Sequence, residues 1–323
     1  MQTRRLGNSG LETAPLVFGG NVFGWTVNES SAFALLDHFV DAGFNMIDTA
    51  DIYPKWVPGN QGGESETIIG KWLKRTGNRS RVLIATKVGW EQGSGQGLSK
   101  NYILRSAQES LTRLQTDYID LYQSHKEDPA TPPQETLEAY AELVKSGKVR
   151  AIGASNFRPD TLREALEISA EKTLPRYETL QPLYNLYERD EFEGELESIC
   201  RDSNLGVITY FSLASGFLSG KYRSEKDLVN RSRGSRVQKY LNPRGSRILA
   251  ALDKVSKEHN ATPAQIALAW LIARPTVTAP IASATNLKQL DELVGATRLQ
   301  LDTAAIRELD QASAYSDTER KVA

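Results

Sequence analysis

Eight short β-branched or apolar runs recur along the chain, each followed by a longer stretch of helical period. No other feature narrows the fold as far. The runs cover residues 16–19, 45–49, 82–87, 119–123, 151–154, 179–181, 207–210 and 279–282. Helical stretches between them include 31–42, 64–75, 99–114 and 133–146. Ala42-Gly43, Thr76-Gly77 and Ser146-Gly147 each place a glycine just past a helix end. Strict alternation of this kind implies parallel strands joined by right-handed crossovers. Eight such units predict an α/β fold, a (β/α)₈ TIM barrel, rather than an open sheet. The 323 residues then form a single domain, since such a barrel needs about 250 residues or more. Residues 3–13 predict an N-terminal β-hairpin around Asn8-Ser9-Gly10. Extra helices near the C-terminus, 244–259 and 303–314, fall outside the eightfold pattern. Thr161-Leu162-Arg163-Glu164 has the spacing of a capping box.

A net charge of -1 argues against nucleic acid as a partner, because phosphate-backbone binders carry a basic surplus or stripe. Arg231, Arg233 and Arg236 do cluster, but Glu225 and Asp227 precede them. That pattern fits a solvated loop best, and a small anionic ligand better than nucleic acid. The single cysteine, Cys200, excludes an intrachain disulfide and sits in an amphipathic helical run, 191–204. It reads as a buried small hydrophobe in a reducing compartment, so a cytoplasmic location is expected. The opening residues carry no apolar core of a signal peptide, and no run of about 18 apolar residues predicts a membrane span. No Cys/His spacing suggests a metal. Tyr122-x-x-x-Lys126 lacks the helix and glycine turn that a short-chain dehydrogenase needs. Gly93-Ser94-Gly95-Gln96-Gly97 falls short of a dinucleotide fingerprint and reads as a loop.

In such a barrel the C-terminal strand ends converge on one mouth. Strand two ends in Asp48 with Tyr53 just beyond, strand three in Lys87, and His125 follows strand four. Ser155 and Asn156 follow strand five, Gln181 ends strand six, and Tyr210 ends strand seven. Taken singly, the lysine could be a snorkelling surface residue, the aspartate a turn former and His125 a loop residue. Together they make a proton-donor unit for carbonyl reduction. A tyrosine hydroxyl can protonate a carbonyl oxygen, but its ordinary pKa near 10 is too high for best efficiency. An ammonium at about 4 Å, at an effective dielectric of about 20, favours the phenolate by about 4 kcal/mol. That would bring the phenol towards neutrality before desolvation opposes it. Asp48 keeps Lys87 charged, and His125 is free to orient the carbonyl or relay the proton. His38 and His259 lie within helical runs and read as structural or solvated.

These residues resemble the aldo-keto reductase superfamily. Gly43-Phe44-Asn45-Met46-Ile47-Asp48-Thr49-Ala50-Asp51-Ile52-Tyr53, then Gly63-Glu64-Ser65-Glu66, is similar to its first signature. Ile84-Ala85-Thr86-Lys87 and Tyr118-Ile119-Asp120-Leu121-Tyr122-Gln123-Ser124-His125 resemble its lysine and histidine strands. Val149 to Phe157, Gln181 to Asn185 and Ser212 to Tyr222 resemble its cofactor segments. The resemblance implies Asp48, Tyr53, Lys87 and His125 as the catalytic set, with Tyr53 the general acid. It implies NADP(H) extended across the mouth. Ser155, Asn156 and Gln181 would hold the nicotinamide carboxamide, and Tyr210 would stack on its ring. Ser212, Leu213, Ser215, Gly216 and Lys221 would border the pyrophosphate. Ser283, Thr285, Gln289 and Glu292 would approach the adenosine end, and Gly20, Asn21 and Asp48 complete the cofactor set. The usual basic residue near Ser283 or Thr285 is absent, only Lys288 is basic there, and Leu293 stands where Asn is frequent. NAD(H) therefore stays open. The loop 54–63 is long and resembles a bacterial subgroup with a Tyr-Pro loop after the tyrosine.

Phe23, Trp25, Trp56 and Trp90 follow predicted strands and would form, with Tyr53 and His125, an aromatic pocket for a small carbonyl or alcohol substrate. One or two of the tryptophans packing loops is the plainer alternative. Trp72 and Trp270 lie on helices and read as core. Two other functions compete: a cofactor-sensing regulatory binding protein of the same fold, and a barrel lyase or isomerase without hydride transfer. A homo-oligomer stays open.

Overall fold

The computed structural model of the chain describes residues 2–92 and 95–315. An antiparallel hairpin comes first, β1 (Arg4–Arg5) and β2 (Glu12–Thr13). Eight parallel strands follow: β3 (Val17–Gly19), β4 (Met46–Asp48), β5 (Leu83–Val88), β6 (Ile119–Ser124), β7 (Val149–Ser155), β8 (Tyr177–Gln181), β9 (Gly206–Thr209) and β10 (Val277–Ala282). They close into a barrel in the order β10-β3-β4-β5-β6-β7-β8-β9. Helix α1 (Glu29–Asp41) follows β3, and α2 (Glu64–Thr76) follows β4. Helices α3 (Lys100–Leu114), α4 (Pro133–Lys145), α5 (Pro159–Lys172) and α6 (Glu195–Asp202) follow β5 to β8 in turn. Between β9 and β10 lie α7 (Gly234–Val237), α8 (Pro243–Glu258) and α9 (Pro263–Ile272). Helices α10 (Leu287–Ala296) and α11 (Thr303–Ser313) come after β10. The architecture is the (β/α)₈ barrel the alternation predicts. Helices α8 and α11, left over by that alternation, pack on one another.

The strands place the site by their period of two. Met46, Ala85 and Leu121 point into the barrel in one layer, packed with Val17, Ile208, Ala279 and Ile281. Two residues further along the same strands stand Asp48, Lys87 and Gln123, which form the next layer towards the mouth. Leu6 and Leu11 of the hairpin join the apolar layer from below. The hairpin lies so close that a Cβ on Gly206 would come within 2.9 Å of Gly7 N. The barrel is thus plugged at its N-terminal end and open only at the other.

Gly43, Gly77 and Gly147 all take positive φ just past their helices, as their positions predict. The capping box expected at Thr161 does not form. Pro159 starts α5 two residues earlier, with Arg158 as an N-cap that makes no side-chain bond, and the Thr161 hydroxyl donates to Glu127 instead. A capping box does form at Thr262 and Gln265. The helical run at 191–204 is helical only from Glu195, because Gly194 turns at φ 112. Cys200 is buried, and burial pushes its thiol up to about 12. Trp72 and Trp270 are core residues. Gly93 and Ser94 of the glycine-rich stretch lie outside the described residues. Among the described residues, no helix is long and apolar enough to cross a membrane.

Candidate active site

The N-terminus of α2 holds Tyr53 in place. Gly63 N and Ser65 N donate to the Tyr53 carbonyl at 3.1 and 3.2 Å. Ser65 Oγ also receives the Thr49 hydroxyl at 2.8 Å and donates to Gly20 O at 2.8 Å. Glu66 is wholly buried, takes Thr86 Oγ1 at 2.6 Å and binds Arg113 of α3 at 2.6 Å. The Gly-Glu-Ser-Glu segment therefore ties the loop carrying Tyr53 to the ends of β4 and β5. Gly63 caps α2 at φ 86, and a Cβ there would strike Arg113 Cδ at 2.5 Å.

Lys87 is 0% exposed and uses all three of its donors. It donates to Asp48 Oδ2 at 2.7 Å, to Thr49 O at 2.8 Å and to Tyr53 Oη at 3.4 Å. Asp48 Oδ1 accepts from Gln181 Nε2 at 2.9 Å and from Gln123 Nε2 at 3.4 Å. The carboxylate is thus fixed from three strands and keeps the ammonium aimed at the phenol. Burial by itself would lower the Lys87 ammonium, but Asp48 and Tyr53 outweigh it and hold its pKa above the ordinary value. With Lys87 as its donor, Tyr53 Oη keeps its own proton for an acceptor in the cavity. The net effect on the phenol is upward: burial raises it, Lys87 pulls it down, and Asp48 pushes it up again. The expectation of a phenol brought near neutrality is corrected here. Burial is the largest influence on the phenol, and Asp48, 2.7 Å from the ammonium, opposes Lys87 as well.

The His125 ring stands edge-on to Tyr53, with centroids 5.7 Å apart. It is buried, its Nδ1 has no hydrogen-bond partner among the described residues, and burial, Lys87 and Lys126 hold its pKa well below 6.5. It is a neutral imidazole at neutral pH. Above this floor opens a cavity of about 830 Å³, lined by Asp48, Tyr53, His125, Ser155, Asn156, Gln181 and Tyr210 among others. The volume falls in the range of small-molecule and cofactor sites.

A family model described as the aldo/keto reductase family matches residues 15–314. The chain belongs to this family. A Bacillus subtilis (strain 168) protein named uncharacterized oxidoreductase YrpG is 36% identical over 320 residues, 96% of this chain and 95% of its own. Protein tas of Escherichia coli (strain K12) is 31% identical, covering 96% of this chain and 97% of its own. Aldo-keto reductase yakc [NADP(+)] of Schizosaccharomyces pombe is 31% identical, covering 96% and 91%. The chain is therefore an oxidoreductase of a family that uses NAD(P)H.

The aldo/keto reductase barrel brings its predicted residues to the mouth from all eight strands. Ser155 Oγ donates to Gln181 O at 2.9 Å, and Asn156 Nδ2 donates to His125 O at 2.9 Å. Tyr210 Oη donates to Asn156 Oδ1 at 2.7 Å. Past β9 the backbone turns through positive φ at Phe211, Ala214, Ser215 and Gly216 (52°, 47°, 57° and 98°). Left-handed stretches of this kind form anion-binding concavities. A Cβ on Gly216 would crowd Lys221 Nζ at 3.3 Å, so glycine lets the ammonium approach the turn. Ser283 Oγ bridges Gly19 O and Asn21 Oδ1, both at 2.7 Å, and Gln289 Oε1 holds Thr285 N at 2.9 Å. Asn21, Ser212, Leu213, Ser215, Gly216, Lys221, Ser283, Thr285, Gln289 and Glu292 all line the cavity.

Three predicted residues stand elsewhere. Phe23 is 0% exposed and stacks on Phe18 in the core, because β3 is followed by a tight turn that carries its ring inward. Gly20 backs the site instead of lining it, its Cβ position blocked by Asp48 O and Ser65 Oγ, both at 3.1 Å. Trp25 stays off the cavity wall and supports Trp56 edge-on at 5.7 Å. Trp56 and Trp90 do line the cavity and are 39% and 41% exposed. Lys288 does not line it. Sequence reasoning missed Phe211, Tyr222 and the loop arginines as lining residues. The arginine cluster was itself the signal, but its placement over the mouth depends on a loop conformation that composition does not encode.

Proposed function

We propose that the protein reduces aldehydes or ketones to alcohols, or catalyses the reverse reaction, with NADP(H) as hydride carrier and Tyr53 as general acid/base. One observation carries the reading: a buried ammonium, held by Asp48, is directed onto a phenol at the floor of the cavity. The dinucleotide supplies the hydride when bound. The chain's own residues do the rest. Ser155, Asn156 and Gln181 would hold the carboxamide end beside Tyr210, and the left-handed turn at Ser215-Gly216 with Lys221 would take the pyrophosphate. Ser283, Thr285, Gln289 and Glu292 border the adenosine. Tyr53 gives its proton to the carbonyl oxygen, and Lys87 steadies the charge left on the phenolate. Neutral His125 orients the same oxygen.

Trp56 and Trp90 offer an aromatic wall to an apolar or ring-shaped substrate. NADP(H) is the favoured carrier because Lys221 and Arg231 line the cavity and can meet the phosphates of a dinucleotide, and one relative carries NADP(+) in its name. The length of loop 54–63 and its Tyr53-Pro54 start support a place among bacterial family members with a Tyr-Pro loop after the tyrosine. Purified protein should quench NADPH fluorescence on binding and oxidise NADPH when aldehydes or ketones are added. A protein that leaves NADPH fluorescence unchanged would count against the reading.

A further inference from the structure

Arg233 and Arg236 are unused by the chemistry above, and their surroundings are unusual. The cavity is lined by the cations Lys221, Arg231, Arg233 and Arg236, against the carboxylates of Asp48 and Glu292. Asp48 is already neutralised by Lys87. Among the described residues, the guanidinia of Arg233 and Arg236 form no ion pair and no hydrogen bond. Each instead lies over a tryptophan: Arg233 over Trp25 at 5.3 Å, and Arg236 over Trp56 at 5.9 Å. The two tryptophans meet edge-on at 5.7 Å, and Trp56 meets the Tyr53 ring at 5.6 Å. Arg236 therefore stands one aromatic ring beyond the proton donor, and Arg233 two.

The cations form one series along the cavity wall. Lys221 feels Arg233, Arg231 and Glu292, and sits by the left-handed turn. A dinucleotide phosphate would draw on Lys221 and Arg231. Arg233, half-buried, is held down by burial and by the exposed Arg236 beside it, so two like charges are kept close. Such an arrangement is unfavourable without a counter-ion, and a guanidinium stacked on an indole keeps its hydrogen-bonding edge free.

We propose that the carbonyl substrate carries an anionic group, a carboxylate or a phosphate ester, bound by Arg233 and Arg236 above the Trp25–Trp56 pair. A spacer that crosses the face of Trp56 separates this group from the carbonyl at Tyr53. The inference rests on the carbonyl-reductase reading and names its substrate class.

The test uses the full chain with NADPH. Its probes are 4-carboxybenzaldehyde, 4-formylphenyl phosphate and the neutral methyl ester of the first. kcat/KM for at least one anion should exceed that for the ester by about tenfold or more, and which anion does so separates carboxylate from phosphate. In Arg233→Gln and Arg236→Gln that ratio should fall by about tenfold, through KM. In the unmutated protein, added salt should raise KM for the preferred anion and leave the ester unaffected, a readout that needs no folded variant. Turnover of the ester with a ratio near one would overturn the substrate class and leave the reductase reading standing. Variants that keep the ratio but bind NADPH more weakly would assign the arginines to the dinucleotide and overturn the proposal. No turnover of any probe would overturn both readings.

Discussion

Tyr53 carries opposed influences from burial and two neighbours, and their balance has a visible consequence. Burial and Asp48 push its phenol above 10.0 while Lys87 pulls it down. A phenol in that state holds its proton throughout the neutral range and serves as the acid for reduction. We expect kcat/KM for carbonyl reduction to stay flat between about pH 7 and 9 and to fall only above about 10. Alcohol oxidation, which needs the phenolate, should rise with pH over the same range. Neutral His125 should add no inflection near 6.5. A reduction profile falling with an apparent pKa near neutrality would contradict this balance. Asp51 offers a second test. Both its carboxyl oxygens are buried without partners among the described residues, and burial followed by Glu66 holds its pKa well above 3.8. An acid raised on folding binds its proton more tightly in the native state, so its contribution to stability is lost as pH rises through the folded value. Asp51→Asn should therefore stabilise the protein at neutral pH by about 1–3 kcal/mol, with a smaller gain near pH 4. Urea unfolding at the two pH values measures it, and a destabilised variant at neutral pH would refute it.

At the scale of elements, α2 is the part whose position the site depends on most. Its first turn holds the Tyr53 carbonyl, and Glu66 reaches both β5 and α3. The close crossing of α2 on α3 is made by Gly70, where a Cβ would stand 2.2 Å from Arg113 O and 2.7 Å from Leu114 C. Gly70→Ala should cost about 1–3 kcal/mol in urea unfolding and lower kcat, since displacing α2 moves the phenol. An unchanged midpoint and unchanged kcat would show that α2 has room the geometry denies it. Helices and strands were legible because their periods are local: the strands at 83–88 and 119–124 read as 82–87 and 119–123 from their own composition. Boundaries slipped where a stronger signal lay nearby, as when Pro159 overrode the capping spacing at Thr161.

For the whole molecule, strand alternation and the identity of strand-end residues foretold the barrel and the meeting of Asp48, Tyr53, Lys87 and His125. What escaped sequence reading depends on tertiary placement. The ring of Phe23 turned into the core, and the arginine loop folded over the mouth where a solvated loop was expected. The sign of the Tyr53 shift also depended on how deeply the site is buried, which spacing along the chain does not reveal. The account stands on Tyr53 as the source of the proton. Single-turnover oxidation of NADPH by Tyr53→Phe, with an aldehyde the parent protein reduces, tests this most directly. The rate should fall by between about a hundredfold and ten-thousandfold, while the NADPH dissociation constant stays within about twofold of the parent. A variant that oxidises NADPH at the parental rate would contradict the account.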